Sequence, residues 1–153
     1  MQTESKYLAA DLLQVLIARH YEPRYGNSFV CIGNFPGYDI KFSSGQTAEV
    51  KCDRSAVETG NACIEYWFKN RASGILATSA SFWLHIVPEG SKFVCYEMDT
   101  KRLLRLCLET GRVKAGGDSG LSLFKLIPLE RIKEISSQVF VLDHELTSNH
   151  TRQ

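Results

Sequence analysis

Two short segments near residue 40 alternate apolar and polar residues on either side of a Ser-Ser-Gly turn. Their apolar members are Tyr38, Ile40, Phe42, Ala48, Val50 and Cys52. Their charged members are Asp39, Lys41, Glu49, Lys51 and Asp53. Because successive side chains of a strand point to opposite faces, this pattern predicts a β-hairpin with one apolar face and one charged face.

The remaining pattern predicts several more strands and three helices. Residues 5–20 carry an apolar stripe at helical spacing, formed by Leu8, Leu12, Val15 and Leu16. Residues 82–87 (FWLHIV) are almost continuously apolar, which is typical of a central strand covered on both faces. Further strands are predicted over 28–32, 61–68, 92–98, 121–127 and 138–142, further helices over 100–110 and 129–135, and loops over 21–27, 54–60 and 115–120. This order indicates an α/β fold with a central mixed β-sheet flanked by helices.

A chain of 153 residues, 44% hydrophobic and 23% charged, is typical of one soluble globular domain. We assign residues 1–142 to that domain and expect the polar residues 143–153 to form a flexible tail. No apolar run reaches the length of about 18 residues that a membrane span needs, and no secretory pattern opens the chain. We therefore expect a cytoplasmic protein without membrane contact. The five cysteines are widely spaced, which favours reduced thiols over a zinc site.

Two acids of the first predicted helix are candidate site residues. Glu4 and Asp11 lie seven residues apart, or about two turns, and therefore share a helix face. Asp11 falls within the apolar stripe, where a carboxylate is costly unless it is paired, hydrated or bound to a metal. Glu4 could equally stabilise the positive N-terminus of the helix, and Asp11 could lie in water at the edge of the stripe.

A local basic cluster is concealed by the net charge of only +1. The second predicted helix carries Lys101, Arg102 and Arg105 on its polar side, and Arg112 and Lys114 follow it. Such a cluster is a candidate nucleic-acid contact, since cations that neutralise phosphates supply most of the affinity for DNA. A solvated helix face would show the same pattern, so both interpretations stay open.

The charged face of the hairpin carries the groups that phosphodiester hydrolysis requires. Mg²⁺ prefers oxygen ligands, which the carboxylates of Asp39 and Glu49 and the backbone carbonyl of Val50 would supply, and Mn²⁺ fits the same donors. Lys51 projects to the same face as Glu49, where its ammonium group could orient a water molecule or stabilise the transition state. A Glu–Lys pair on a solvated sheet face would give the same pattern.

An acid on one strand and acid-x-lysine on the next, here Asp39 and Glu49-x-Lys51, resembles the signature of the PD-(D/E)XK nuclease superfamily. Three further segments are similar to small viral and archaeal members related to Holliday-junction resolvases: residues 59–66 (TGNACIEY), 72–75 (ASGI) and 77–83 (ATSASFW). The resemblance covers about residues 4–87. It places Glu65, in the first of these segments, either beside the metal or against a basic group next to it.

The resemblance implies a restriction-endonuclease-like core and a Mg²⁺-dependent DNA endonuclease. Branched or junction DNA is the implied substrate, and a homodimer is implied because two cuts on two strands need two sites. A catalytically silent nucleic-acid-binding protein of the same fold is an alternative from a different class. A DNA exonuclease or nickase is a further alternative. A virus-encoded origin is compatible with the resemblance.

The resemblance also gives roles to individual residues. Asp39 and Glu49 match the metal-binding acids, and Lys51 matches the catalytic lysine. An acid of the first helix often completes such sites, and Glu4 is the nearest match by position, with Asp11 second.

Overall fold

The computed structural model describes residues 2–31, 37–117 and 120–143, with side chains from Ala10 onward. Its helices are α1 (Gln2–Tyr25), α2 (Ala56–Thr59), α3 (Thr100–Glu109) and α4 (Leu129–Ile135), with a 3₁₀ turn at Gly74–Leu76. Its strands are β1 (Ser28–Val30), β2 (Ile40–Phe42), β3 (Thr47–Cys52), β4 (Asn61–Phe68), β5 (Arg71–Ala72), β6 (Phe82–Glu89), β7 (Lys92–Asp99), β8 (Arg112–Gly116), β9 (Ser122–Pro128) and β10 (Gln138–Asp143). Of the predicted tail, only Asp143 lies within the described residues, as the last residue of β10.

Six strands form a mixed sheet, the large sheet, in the order β1-β2-β3-β6-β7-β10. Neighbouring strands are antiparallel except β3 and β6, which run parallel with Val50 opposite Leu84. Side chains of α1, among them Ile17 and Tyr21, pack on one face of this sheet. Leu103 of α3 packs with residues of the opposite face. The predicted α/β fold, with a mixed sheet flanked by helices, is confirmed at this level.

Strand β6 is the central strand that the apolar run predicts. Every side chain from Phe82 to Val87 is buried, His85 among them. Leu84 belongs to the core under α1, whereas Trp83 belongs to a second core that includes residues of α3 and β4. The strand is therefore covered on both faces.

Four strands form a separate antiparallel sheet, the small sheet, in the order β5-β4-β9-β8. The sequence predicts residues 61–68 as a strand of the same set as the hairpin, and the bounds of that strand are confirmed. The prediction that it joins the sheet of the hairpin is wrong, because β4 pairs with β5 and β9. Both edges of β3 are already paired, with β2 and with β6, so β4 has no edge of β3 to join. The small sheet also contains β8, part of which the sequence predicts as loop.

Helix α1 is longer than predicted and buries a different stripe. It continues through Pro23 to Tyr25, where the sequence predicts a loop. Packing outweighs the helix-breaking tendency of proline here, since the rings of Tyr21 and Tyr25 both lie against Phe42. Among the side chains of α1 from Ala10 onward, the buried ones are Leu13, Ile17, Ala18 and Tyr21, and Leu12 of the predicted stripe is 46% exposed.

The cysteines are free thiols, as the sequence predicts. Cys95 and Cys107 are buried, and burial raises their pKa to about 12 and about 11, respectively. Neither is therefore a thiolate near neutral pH. Among the residues described, no helix combines the length and apolar content needed to cross a membrane.

Candidate active site

Asp39 lies directly before β2 and beside β3. Its backbone N–H donates to the carbonyl of Ala48 at 2.9 Å, and its Oδ2 accepts the backbone N–H of Val50 at 2.8 Å. The N–H and C=O of one strand residue point toward the same neighbouring strand. The Val50 carbonyl therefore points to the edge of β3 on which Asp39 lies, and the structure brings the two predicted oxygen donors together.

Glu49 and Lys51 project from the face of β3 opposite to α1, as the alternation predicts. The Lys51 Nζ lies 3.0 Å from the Glu49 Oε1 and 6.0 Å from the centre of the Trp83 ring. The Glu49 side chain is only 12% exposed, whereas the Lys51 side chain is 45% exposed. The lysine therefore reaches solvent while its carboxylate partner is largely enclosed.

The three charged groups influence one another strongly. Burial raises the pKa of Asp39, against the opposing effects of the Val50 N–H and of Lys51. Burial likewise raises the pKa of Glu49, which Lys51 lowers and Asp39 raises further. Burial lowers the pKa of Lys51, but the carboxylates of Glu49, Asp39 and Glu65 together outweigh burial and raise it. Two partly buried acids share one cation, an arrangement that a bound divalent cation would relieve.

Asp39→Asn is expected to raise the melting temperature of the metal-free protein by about 2–4 °C at neutral pH. A carboxyl whose folded-state pKa is raised costs stability above that pKa. An amide oxygen can still accept the Val50 N–H. The gain should shrink as the pH falls through the raised pKa, because Asp39 is then protonated in the wild type. Thermal melts in EDTA from neutral pH toward pH 4 measure this.

Asp143→Asn, at an exposed position of β10, is the matched control and should leave the melting temperature unchanged. Millimolar Mg²⁺ should raise the melting temperature of the wild type more than that of Asp39→Asn, because a ligand stabilises the state that binds it. A less stable Asp39→Asn protein at neutral pH in EDTA would contradict the expectation.

Asp53 joins the two sheets beside the site. It follows Glu49 and Lys51 at the same parity, but it is buried. Its Oδ2 lies 2.9 Å from Nε2 of the fully buried His85 of β6 and accepts the backbone N–H of Cys63 of β4 at 2.8 Å. Burial would raise the pKa of Asp53, but the hydrogen bonds, that of His85 first, outweigh burial and hold it below its ordinary value.

The pairing of Asp53 with His85 is not predicted from the sequence. Two signals in the sequence point to it: the parity of Asp53, and a histidine inside the apolar run of β6. Their pairing depends on the parallel register of β3 and β6, in which Lys51 lies opposite His85. The residue pattern within a single strand cannot predict how that strand is aligned with its neighbour.

Glu65 lies on β4 at a β-bulge, where the register with β9 shifts between Glu65 and Trp67. Bulges re-aim side chains and are frequent next to active sites. The Glu65 Oε1 accepts the hydroxyl of Ser73, and its charge contributes to the raised pKa of Lys51. The structure therefore brings Glu65 within electrostatic range of Lys51.

Thr78 was not identified from the sequence, although it contacts two parts of the site. Its Oγ1 lies 2.9 Å from the carbonyl oxygen of Gly37 and 3.4 Å from the Glu49 Oε2. The same oxygen accepts the backbone N–H of Ala80 at 3.2 Å. In the sequence it lies in residues 77–83 (ATSASFW), one of the segments that carry the resemblance. A hydroxyl has one hydrogen, and the Gly37 carbonyl is the nearer acceptor, so Thr78 binds Gly37 and lies beside the Glu49 carboxylate.

Of the other predicted site residues, those with described side chains make no contact with these groups in the structure. The side chain of Glu4 lies outside the described residues, although its backbone belongs to α1. Asp11 is half-buried and has no hydrogen bond or ion pair with a described residue of the site. The side chains of Lys101, Arg102 and Arg105 are exposed on α3.

The donors at Asp39, Glu49 and the Val50 carbonyl are all hard oxygen atoms, which fits Mg²⁺ or Mn²⁺. Among the described residues, no group of three or more histidine, cysteine, aspartate or glutamate side chains is placed to hold a metal ion. Mg²⁺ retains several water ligands and often uses only one or two carboxylates, so the smaller donor set is compatible with it.

No family model, curated protein or solved structure matches this chain. Its function is therefore inferred from the chemistry of the site.

Proposed function

We propose that this protein is a Mg²⁺-dependent DNA endonuclease of the PD-(D/E)XK type, with Mn²⁺ as an alternative cation. The observation that carries the proposal is the hydrogen bond from the Val50 N–H to Asp39. It holds the Asp39 carboxylate against β3, the strand that carries Glu49 and Lys51. Two carboxylates, the Val50 carbonyl and an ammonium group are therefore neighbours. Structured or branched DNA as substrate, and a homodimer as the working form, belong to the same proposal.

A restriction-endonuclease-like core is part of this proposal. In support of it, the hairpin β2–β3 lies inside a mixed sheet, α1 covers one face, and a strand parallel to β3 follows. The opposite face of β3 carries Glu49 and Lys51. Helix α1 therefore packs on the apolar face of the hairpin and does not cover the charged face, where the substrate would bind.

Each residue of the site has a separate role in the proposed reaction. A bound Mg²⁺ or Mn²⁺ would supply neutralisation of phosphate charge and a more acidic water molecule. Asp39, Glu49 and the Val50 carbonyl would hold that cation. The ammonium of Lys51, which the surrounding carboxylates keep protonated, can stabilise the charge that develops on the phosphate oxygens. The hydroxyl of Thr78 lies 3.4 Å from the Glu49 carboxylate, beside the proposed cation site.

A catalytically silent nucleic-acid-binding protein is the second candidate, and two observations favour it. The Lys51 Nζ already pairs with Glu49 at 3.0 Å, and the described side chains include no cluster of three metal ligands. A lysine that neutralises the site permanently would make a cation unnecessary. The two candidates differ in whether Mg²⁺ produces cleavage.

Cleavage of closed circular DNA separates these functions. The wild-type protein should linearise or nick a supercoiled circle in Mg²⁺ or Mn²⁺, and EDTA should abolish the reaction. An exonuclease cuts linear DNA but leaves the circle intact, and a nickase stops at the open circle. A four-way junction cut symmetrically, together with a dimer in sedimentation equilibrium, would support the structure-specific homodimer. Binding without cleavage of any of these DNAs in either metal would favour the silent protein.

A further inference from the structure

The small sheet has two faces of different character. Its inner face carries Ala62, Ile64 and Ile127, which are fully buried in the core that contains residues of α3. Strand register places the side chains at alternate positions in rows on the other face, named here the outer face. One row is Glu65, Phe124 and Lys114, and the next is Cys63, Leu126 and Arg112. All six are at least partly exposed.

The outer face adjoins the candidate active site along β4. The backbone N–H of Cys63 donates to Asp53, two residues beyond Lys51. Glu65, the first residue of the other row, lies within electrostatic range of Lys51 and contributes to its raised pKa. Asp53 and Lys114 both act electrostatically on Cys63. Each row therefore begins at the site and ends at a cation of β8.

The far side of the outer face is cationic. Arg112 and Lys114 are exposed, and Arg112 also lines a cavity of about 660 Å³ together with Arg131 and Asn61. Arg131 is only loosely paired, with its Nε 3.5 Å from Glu134 on an exposed surface. Two strand spacings, or about 10 Å, separate β4 from β8. At about 3.4 Å per nucleotide along a strand of duplex DNA, that distance corresponds to about three nucleotides.

We propose that the DNA segment next to the scissile phosphate lies across this outer face. Its backbone phosphates bind Arg112, Lys114 and Arg131, and the exposed part of Phe124 lies under a base or sugar. The occupant follows from charge complementarity: beyond Glu65 at the site, the two rows carry cations and apolar groups and no acid. This inference rests on the proposed nuclease function, since it takes the substrate to be DNA.

The outer face and the exposed cations of α3 are alternative contacts for DNA bound at the site. Leu103, Leu106 and Cys107 of α3 share a core with the inner face of the small sheet. Lys101 and Arg102, exposed on that helix, therefore lie on the other side of the sheet from the two rows of the outer face. A DNA segment that follows the outer face away from Lys51 does not meet them.

The test compares two double variants that each remove two exposed cations: Arg112→Gln with Lys114→Gln, and Lys101→Gln with Arg102→Gln. Fluorescence anisotropy in EDTA, where no cleavage is expected, gives Kd for single-stranded, duplex and four-way-junction DNA over a range of salt concentrations. The first variant should raise Kd roughly 10-fold near 0.1 M salt. It should also reduce the salt slope by about 1.4 on single strands or 1.8 on duplex. The second should resemble the wild type.

Unchanged melting temperatures would show that both variants remain folded. A wild-type Kd and salt slope for the Arg112 and Lys114 variant, or a larger loss for the α3 variant, would overturn the proposed surface. Failure of the wild type to bind any of the DNAs would overturn the surface and the nuclease function together. If the wild type binds but does not cut in Mg²⁺ or Mn²⁺, the nuclease function fails, and a selective loss in the first variant still supports the surface.

Discussion

Glu49→Gln and Lys51→Met should each reduce Mg²⁺-dependent DNA cleavage by about 10²- to 10³-fold or more. Glu49→Gln removes a carboxylate that would hold the cation and keeps the shape of the side chain. Lys51→Met removes the ammonium group but keeps the length of its stem. Both side chains project from β3 into the site. The surrounding carboxylates keep Lys51 charged, so Lys51→Met removes a positive charge where negative phosphate charge develops, whereas Glu49→Gln weakens the hold on the cation. Initial cleavage rates on supercoiled DNA measure the effect.

Glu58→Gln on α2 and Lys92→Met on β7 are the matched controls, because both positions are exposed and neither contacts the site. Their cleavage rates should stay within about twofold of the wild type. DNA affinity in EDTA should be retained by the Glu49 variant, which distinguishes a loss of chemistry from a loss of binding. The same residual cleavage in wild type and site variants would show that a contaminant or another site is responsible.

Gly74→Ala should be among the most destabilising single substitutions in this chain, at about 3 kcal/mol. Gly74 has a φ of +49°, and an added Cβ would lie 2.8 Å from the carbonyl carbon of Glu65 and against its carbonyl oxygen. That obstacle is backbone of β4, which cannot rotate away. The carbonyl of Gly74 also accepts the N–H of Thr78 at 2.9 Å, so a displaced turn would move Thr78 away from Glu49.

Gly90→Ala isolates the conformational part of this cost. Gly90 has a φ of +61°, but no atom lies within 4 Å of an added Cβ. Its loss should be about 1 kcal/mol, the usual penalty for an L-residue in the left-handed region. The melting temperature should fall by about 9 °C in Gly74→Ala and by about 3 °C in Gly90→Ala, since about 1 kcal/mol corresponds to 2–4 °C. Equal losses would mean that the turn moves away from β4 at no cost.

The sequence predicts the hairpin well because alternation is a local property. Ile40 and Val50 lie in one core, and Glu49 and Lys51 lie on the opposite face, as parity alone requires. Helix α1 shows the limit of local reasoning. Its buried stripe is set by which side chains meet the sheet. The helix continues into residues predicted as loop and ends at Tyr25, because Tyr21 packs against residues distant in sequence.

The second sheet could not be predicted, because it depends on which strand edges remain free. Residues 61–68 have the same strand pattern whether they join β3 or form another sheet. The choice follows from the pairing of β3 with β6, more than thirty residues later in the chain. The contact of Thr78 with Glu49 and the pairing of Asp53 with His85 depend on the same crossover. The charged triad lies within one hairpin, and so it was accessible from the sequence.

The pKa of Asp53 determines the order in which the acids of the metal-free protein take up protons as the pH falls. The pKa of Asp53 lies below its ordinary 3.8, whereas burial raises the pKa of Asp39 above 3.8 and that of Glu49 above 4.5. As the pH falls, the acids of the site therefore take up protons before Asp53 does. The stability that Asp53 contributes is present above 3.8 and is lost only as the pH falls through its lower value. Acidification therefore neutralises the carboxylates of the site while the ionised Asp53 still links the two sheets.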